Sequence, residues 1–353
     1  MITVTSAGMQ TKERNITIDA LKGLGIILMV LGHSGFPFTD FIYQFHMAAF
    51  FMASGYLWND KKVADFYSFK KGVVSCIKRL WLPYVLVNCV FALFNNLFVA
   101  WHIYVAENIM SPVQIGVNIV KILFFIGHTQ MGGSLWFLRA LFLISVGHLI
   151  LRYIFHHRKA GRVLFVLAVV AILAGTVLMD LGFDGLPSVV RTFFCGYTAF
   201  LLGTVMRRLS VMDLIRKHII AATLLAMLAL LLLSPIAQVE MGLGKTGPLP
   251  FFMAISLAGW FSLWGIASFM KGVLVKFVAF CGRNSVWIVS LHFVAFLPVT
   301  ALYIAFTDGN FAQMSVFPSI PHGWLWVAYT VVGVAIPLAA FELTNTLKSV
   351  FRR

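Results

Sequence analysis

The stretch "DALKGLGIILMVLGH" (Asp19–His33) places three ionisable side chains in a run that is otherwise apolar. At 3.6 residues per turn, Lys22 and His33 lie on nearly the same face of a helix, about 16 Å apart along its axis, and Asp19 lies one turn before Lys22. Two interpretations fit this stripe. Lys22 and His33 could extend to opposite headgroup layers, or the stripe could face a functional cavity. We favour the cavity, because ionisable residues within a span more often mark one.

The composition of the chain is typical of a polytopic membrane protein. Of its 353 residues, 60% are hydrophobic and only 11% are charged, whereas about a quarter of a soluble domain is charged. The net charge of +15 does not indicate nucleic-acid binding, because the basic residues alternate with apolar runs instead of forming one patch. The four cysteines lack the paired spacing of a metal or disulfide site. We therefore predict an all-α integral membrane protein of one domain, residues 1–353, without a metal ion.

Hydropathy and charge together predict the number and direction of the spans. Each crossing needs about 20 apolar residues, and Lys and Arg accumulate on the cytoplasmic side. Most of the 27 Lys and Arg residues, including Lys12, Arg14, Arg352 and Arg353, fall on one side if both termini are cytoplasmic. Two shorter apolar stretches are predicted to be interfacial helices, 117–127 on the outer side and 271–282 on the inner side. The ten predicted spans are 16–36, 42–58, 80–101, 133–151, 163–180, 188–206, 218–236, 250–270, 285–305 and 323–343.

Several motifs resemble those of the bacterial membrane acyltransferase-3 family, whose members are integral membrane O-acyltransferases. The first motif is a basic residue, Lys22, followed eleven positions later by His33. The motifs occur in the family's order and are spread over most of the chain. The others are "FHMAAFFMASGYL" (45–57), "KRLWLPY" (78–84), "LWFLRALF" (135–142) and "CGRNSVWIVSLH" (281–292).

The resemblance implies transfer of an acyl group, usually acetyl from acetyl-CoA, to a hydroxyl of a surface glycan or similar acceptor, in the bacterial inner membrane. Two positions depart from the family pattern. Cys76 replaces an arginine three residues before Arg79, which weakens the phosphate recognition expected of that turn, and Ala48 replaces a proline. A longer or dicarboxylic acyl group is an alternative within the same fold, and transfer could be direct or pass through an acyl-histidine.

A transporter or flippase for a small polar or glycan-lipid substrate is the alternative from another functional class. Charged residues within spans suit a substrate pathway as well as an active site. Transporters often show repeated halves and broken helices near the membrane midplane, and neither pattern is clear in this sequence. The oligomeric state is left open.

Three residues are candidates for catalysis. His33, near the outer end of the first span, is the predicted general base, because an imidazole accepts a proton near neutral pH. Lys22 is too far along the helix to touch it, and could pair with Asp19 or guide the thioester through the bundle. His46, predicted at a similar depth in the second span, could relay protons or orient the first ring, or could simply be bonded within the bundle.

The predicted donor site is the basic inner surface, because acyl-CoA is cytoplasmic and polyanionic. Lys78 and Arg79 belong to this surface. Arg283 and Asn284 belong to it as well, since "GRNS" falls at a helix start, where free backbone N–H groups favour anions. The ordinary positive-inside excess is the alternative explanation. His292, predicted about 10 Å from the inner face, either lines the donor path or bonds a neighbouring helix.

The predicted acceptor site lies on the outer side. Arg139 and Arg191 are expected to hold a polar or anionic acceptor there, although Arg139 could instead brace the bundle. Trp136 is assigned to the same site, with an outer aromatic belt as its alternative role. The segment "GLGKT" (242–246) resembles a phosphate loop, but Val239 stands where that pattern requires glycine, and the segment is predicted to be outside. It is therefore excluded as a nucleotide site.

Overall fold

The computed structural model describes residues 15–156, 158–182, 186–307 and 309–351, so Lys12, Arg14, Arg352 and Arg353 lie outside the described residues. The described chain folds into α-helices around one continuous hydrophobic core. The helices are α1 (Ile16–Gly32), α2 (Thr39–Tyr43), α3 (His46–Tyr56), α4 (Phe66–Cys76), α5 (Leu82–Leu93), α6 (Asn95–Ala100), α7 (Pro112–Leu123), α8 (Trp136–His156), α9 (Gly161–Asp180), α10 (Ser188–Arg208), α11 (Val211–Leu214), α12 (Ile219–Leu233), α13 (Leu249–Phe269), α14 (Gly272–Arg283), α15 (Ser285–Phe306) and α16 (Leu325–Val350).

Eight helical segments within the described ranges are long and apolar enough to cross a membrane. They confirm the predicted class, an all-α membrane protein. The first two predicted spans differ from these eight, because α1 has 17 residues and the segment 42–58 is not one helix. The predicted interfacial segment 117–127 corresponds to α7, whose 12 residues rise only about 18 Å and are too few to cross a bilayer.

The second predicted span is broken in the middle. One helix over 42–58 is therefore a wrong prediction: α2 and α3 are separated by Gln44 and Phe45. The Gln44 side-chain amide donates a hydrogen bond to the Ala237 carbonyl (3.1 Å), just beyond the end of α12. Every residue of α3 except Ser54 is buried. So short a helix is stabilised by packing, chiefly against α10, rather than by its own length.

The third span begins earlier than predicted. The observed helix is continuous from Phe66 to Leu93, because one π-helical turn, Ile77–Trp81, joins α4 to α5. The predicted bounds 80–101 are wrong at both ends, since hydropathy marks the apolar part of a helix and misses its polar extension. The basic residues that the charge count assigned to a loop are on the helix; they are Lys70, Lys71, Lys78 and Arg79.

The helix α14, predicted as an interfacial segment, packs along the first turns of α1. A Cβ atom at Gly23 would collide with the Val278 carbonyl, and one at Gly282 would collide with the Asp19 carbonyl. Glycines at these positions let the two helix backbones approach each other directly, as small residues commonly do between membrane helices. The closest packing of α1 is therefore against α14.

This packing corrects the predicted depth of His292. From the sequence, His292 is expected near the inner face, about 10 Å from the start of its span. The structure places its ring against that of His33, at the C-terminal end of α1. The first turns of α1 are already covered by α14. The helix α15, which follows α14 after Asn284, therefore begins beside a later part of α1 than hydropathy indicates.

Candidate functional site

A small cavity lies where the C-terminal end of α1 meets the N-terminal end of α3. Its volume is about 120 Å³. His33 and His46, both predicted to be catalytic, line it, as does Trp136, predicted for the acceptor site. The remaining lining residues are Ile26, Met29, Tyr43, Met47, Phe50, Ser134, Phe137, Glu240, Met241, Gly242 and Val289.

The His33 and His292 side chains form a hydrogen-bonded pair of imidazoles. His33 Nδ1 lies 3.3 Å from His292 Nε2, and the two rings stack with their centroids 5.2 Å apart. His292 Nδ1 lies 3.1 Å from the Ile288 carbonyl oxygen, which can only accept, so this nitrogen carries the proton. In neutral His292 the Nε2 atom is then an acceptor, and His33 Nδ1 donates to it. His33 Nε2 is left with its lone pair, ready to accept a proton.

Two hydrogen bonds fix the backbone that carries His33. The Gly32 carbonyl, at the end of α1, accepts from Tyr43 Oη (3.1 Å). Thr39 Oγ1 lies 3.2 Å from the same oxygen, but its single proton is donated to the closer Phe36 carbonyl, 2.7 Å away. The His33 carbonyl accepts from Ser319 Oγ (3.0 Å). Carbonyls at a helix C-terminus have no partner within the helix, so these side chains satisfy them. These bonds hold in place the backbone from which the His33 imidazole extends.

The second imidazole of the cavity belongs to His46, the first residue of α3. Its Nδ1 lies 2.8 Å from the Ile42 carbonyl oxygen and must donate to it. The Nε2 atom of neutral His46 is therefore an acceptor as well. The ring lies beside Tyr43, with centroids 5.5 Å apart. His33 and His46 thus line one cavity, and Nε2 is the acceptor nitrogen of each neutral ring.

A second, larger cavity of about 920 Å³ lies at the opposite end of α1 and α3. It contains two predicted residues, Lys22 and Arg79. Basic side chains outnumber acidic ones in its lining, which favours binding of an anion. The charged residues that line it are Lys22, Arg79, Arg207, Arg208, Asp19 and Asp60.

Asp60 connects three segments at the rim of the large cavity. Its carboxylate accepts hydrogen bonds from Trp58 Nε1 (2.8 Å) and Arg152 Nη2 (2.8 Å), and Arg208 lies 3.8 Å away. Burial by itself would raise the pKa of Asp60, but these hydrogen bonds and the charges of Arg152 and Arg208 outweigh it and lower the pKa. The carboxylate therefore stays ionised and holds the segment after α3 against α8 and α10.

About one helical turn separates the two cavities along α1. Lys22 lines the large cavity and Ile26 the small one, a separation of about 6 Å. Between them Gly25 faces the ring of Phe50 on α3, and a Cβ atom at Gly25 would lie 2.8 Å from Phe50 Cε2. On α1, this contact lies between the residues that line the two cavities.

The other residues predicted for donor binding are placed differently. Lys78 is exposed on the π turn, outside the lining of the large cavity, although its neighbour Arg79 is in it. Arg283 lies 3.9 Å from the buried carboxylate of Asp19. The Asn284 side chain donates to a carbonyl of α14 (3.0 Å) and caps that helix. The structure therefore brings only Arg79 of these residues into a cavity.

Two of the three residues predicted for acceptor binding lie outside the small cavity. Arg139 is buried and donates to the Phe125 carbonyl (3.1 Å), which matches its alternative role as a brace. Arg191 packs beneath Gly244, where a Cβ atom would collide with the arginine side chain. Trp136 lines the cavity directly. Of the three residues predicted for acceptor binding, Trp136 alone therefore lines the small cavity, and neither arginine is in its wall.

Sequence reasoning missed several cavity residues. Tyr43 stands three positions before His46, so proximity to that motif was a usable signal. Arg207 and Arg208 were counted only as part of the inner charge excess. Glu240 lies in an irregular segment, where hydrophobic periodicity carries no information about tertiary position. Its place in the cavity depends on packing between distant parts of the chain.

Comparison with known proteins agrees with this architecture. The family model of the acyltransferase domain matches residues 15–342, a range that contains every residue lining the two cavities. No curated protein and no solved structure matches the chain significantly. The chain therefore belongs to the acyltransferase-3 family, as a multi-pass membrane protein with an acyltransferase domain.

Proposed function

We propose that the protein transfers an acyl group, with acetyl as the simplest case, from cytoplasmic acyl-CoA to a hydroxyl of a cell-surface glycan or similar acceptor. It does so as a multi-pass protein of the bacterial inner membrane. The observation that carries this proposal is the His33–His292 hydrogen bond, which leaves His33 Nε2 free to act as a base at the small cavity. Membership of the acyltransferase-3 family supports the reaction class.

In the proposed reaction the acceptor hydroxyl donates its proton to His33 Nε2. The acceptor oxygen attacks the thioester carbonyl carbon and forms a tetrahedral intermediate. This intermediate collapses as the carbon–sulfur bond breaks, which yields an ester and the CoA thiolate. The imidazolium of His33 then returns the proton to the thiolate, so thioester and alcohol become ester and thiol. His292 accepts the Nδ1–H bond throughout and holds the ring in the productive tautomer.

The large cavity is the proposed donor site. Its arginines, Arg79, Arg207 and Arg208, suit the phosphates of acyl-CoA, because a guanidinium can form paired hydrogen bonds with phosphate oxygens. Lys22 lies one turn from the small cavity and contacts the part of the donor nearest the thioester. To reach His33 the thioester passes between α1 and α3, where the Phe50 ring packs against Gly25, so this ring has to move aside.

We propose that His46 assists at the acceptor side. His46 lines the same cavity as the base, and Nε2 of its neutral ring is an acceptor, so it can take a second hydrogen bond from the acceptor and orient it. Trp136 forms the apolar wall against which the acceptor packs.

Radiolabelled acetyl-CoA tests the function directly. Membranes that hold the protein and its acceptor are incubated with acetyl-labelled CoA, and label in the acceptor fraction and release of CoA thiol are measured. His33→Ala should lower both at least 100-fold, as loss of a general base does. His218→Ala, which removes an exposed histidine at the start of α12, is the matched control. Normal transfer by well-folded His33→Ala protein would end this mechanism.

One observation favours the transporter alternative. The break between α2 and α3 adjoins the small cavity, and broken helices beside a binding site are typical of transporters. The same labelled membranes, as sealed vesicles, distinguish the two functions. Counterflow of a substrate without ester formation would favour transport, whereas label in an ester favours the enzyme.

A further inference from the structure

The segment 240–245 forms a tight turn with a fixed backbone. The Glu240 N–H donates to the Lys245 carbonyl (2.9 Å) and the Lys245 N–H donates to the Glu240 carbonyl (3.1 Å), as in an antiparallel bridge. Gly244 has φ +72°, a left-handed conformation that glycine adopts without strain. This turn contains most of the "GLGKT" segment, which is not a phosphate loop. The two backbone hydrogen bonds fix the backbone position from which the Glu240 side chain extends.

The turn is a wall of the small cavity. Val239 and Met241 are buried on either side of Glu240. Gly242 lies flat against the indole of Trp136, where a Cβ atom would be 3.3 Å from two ring atoms. Three consecutive residues of the turn, from Glu240 to Gly242, line the same space as His33 and His46. The base and the Glu240 carboxylate therefore share one small cavity.

The chemistry of this cavity is that of hydrogen-bond acceptors with a negative charge. Among the described residues, no Lys or Arg lines it. Glu240 is exposed at the edge of the cavity, and within the described part of the chain its carboxylate makes no hydrogen bond or ion pair there, although Lys245 stands opposite it in the bridge. The Nε2 atoms of neutral His33 and His46 accept as well. A carboxylate accepts hydrogen bonds from hydroxyl groups and repels a second anion. The cavity therefore suits a ligand that is rich in O–H donors and carries no negative charge.

We propose that Glu240 binds a hydroxyl next to the one that is acylated, and that it excludes acceptor units with a carboxylate or phosphate near the reacting hydroxyl. The acceptor unit is then a neutral or cationic polyol, so of the polar or anionic acceptors expected at Arg139 and Arg191 the anionic ones are excluded. This proposal rests on the proposed function, because it assumes that the acceptor hydroxyl meets His33 in this cavity. Bonds from hydroxyls to a carboxylate are charge-assisted, and exclusion of anions adds specificity.

The charge of the cavity can be measured without catalysis. A cysteine is introduced at Trp136 or Met47, both of which line the cavity, in protein whose partly exposed Cys76 and Cys89 are replaced by serine. A cationic and an anionic methanethiosulfonate of similar size then compete for the new thiol. Glu240→Gln should lower the cation-to-anion rate ratio about tenfold at low salt, because a unit charge about 6 Å away changes each rate about threefold.

The matched control is Glu107→Gln, which removes an exposed carboxylate from another loop and should leave the ratio unchanged. Two reporter positions keep the test valid if replacing Trp136 disturbs the turn. A ratio that Glu240→Gln does not change at a folded reporter would overturn the proposal.

Transfer to the natural acceptor provides the second test. In membranes that retain their acceptor, Glu240→Gln should lower incorporation of labelled acetyl at least tenfold, with a smaller loss for Glu240→Asp, which keeps the charge. Unchanged transfer by Glu240→Gln would overturn the role of Glu240 in binding. If native protein and His33→Ala both transfer nothing, the proposed function fails, and the thiol ratio still decides the charge of the cavity.

Discussion

The two cavities lie along the same pair of helices, α1 and α3, and yet they differ in size and charge. The small cavity, of about 120 Å³, brings together two imidazoles and one carboxylate. The large cavity, of about 920 Å³, is lined mainly by basic side chains among its charged groups. Proton transfer benefits from a confined site with fixed donors and acceptors, whereas phosphate groups need space and positive charge. The difference agrees with the proposed acceptor site and donor site, which lie about one turn apart along α1.

The largest expected effect is a loss of kcat from a change at the small cavity alone. His292→Ala should lower kcat about 100-fold and leave the KM for acetyl-CoA unchanged, because His33 loses the acceptor that selects its tautomer. His292→Gln has an amide oxygen that can accept the same bond and should retain more activity. Initial rates across acetyl-CoA concentrations measure both constants. Native kcat in His292→Ala would show that the pair of imidazoles does not act as a unit.

A change between α1 and α14 should disturb both cavities together. Gly282→Ala forces a methyl group against the Asp19 carbonyl and should destabilise the fold by about 2 kcal/mol, the usual range for overpacking. Its unfolding temperature in detergent should fall, along with donor binding and transfer. Gly116→Ala on α7 is the control, because no atom lies within 4 Å of the added methyl. Equal unfolding temperatures for the two variants would contradict the close packing.

A smaller effect should be confined to the large cavity. Arg207→Ala should raise the KM for acetyl-CoA about tenfold with little change in kcat, because it removes a charge-assisted hydrogen bond to the donor. The effect should shrink as salt is added. Arg216→Ala removes an exposed arginine that does not line the cavity. If Arg216→Ala raised the KM equally, the effect of Arg207→Ala would come from general surface charge and not from the large cavity.

The smallest effect concerns the rim of the large cavity and depends on pH. Because the pKa of Asp60 is lowered in the folded protein, its stabilisation is present above its usual value of 3.8 and is lost as pH falls through the folded value. The side chain is half exposed, so the contribution is about 0.5 kcal/mol. Asp60→Asn should therefore lower the unfolding temperature slightly at pH 7, and by progressively less as the pH falls below 3.8. A difference that does not shrink below pH 3.8 would contradict an electrostatic role.

The part of the site that lies within one helix could be predicted from the sequence. The spacing of Lys22 and His33 depends only on helix geometry. Both residues line cavities, but two separate ones instead of the single cavity that the stripe suggested. The span 285–305 agrees closely with α15, because its apolar run has polar residues at its start. Local periodicity was sufficient for these features.

The rest depends on contacts between segments far apart in the chain. His33 can pair with His292 because α14 packs beside the first turns of α1, which determines where α15 begins along α1. Hydropathy does not encode this packing. The position of Glu240 requires its turn to pack on Trp136, and the break at Gln44 is bonded to residues beyond α12. Each of these follows from tertiary packing, which no single segment reveals.

The π turn between α4 and α5 has a consequence for how this long helix faces its neighbours. A π turn inserts one residue, so it rotates everything that follows by about 100° about the axis relative to a regular α-helix. The phase of α5 is thereby uncoupled from that of α4. Tyr84 can bond the Gly127 carbonyl (3.0 Å) while Arg79 still points at the large cavity. Deleting one residue between Ile77 and Trp81 would turn the π turn into regular α-helix. The helix could then no longer place Tyr84 against Gly127 and Arg79 at the large cavity at the same time.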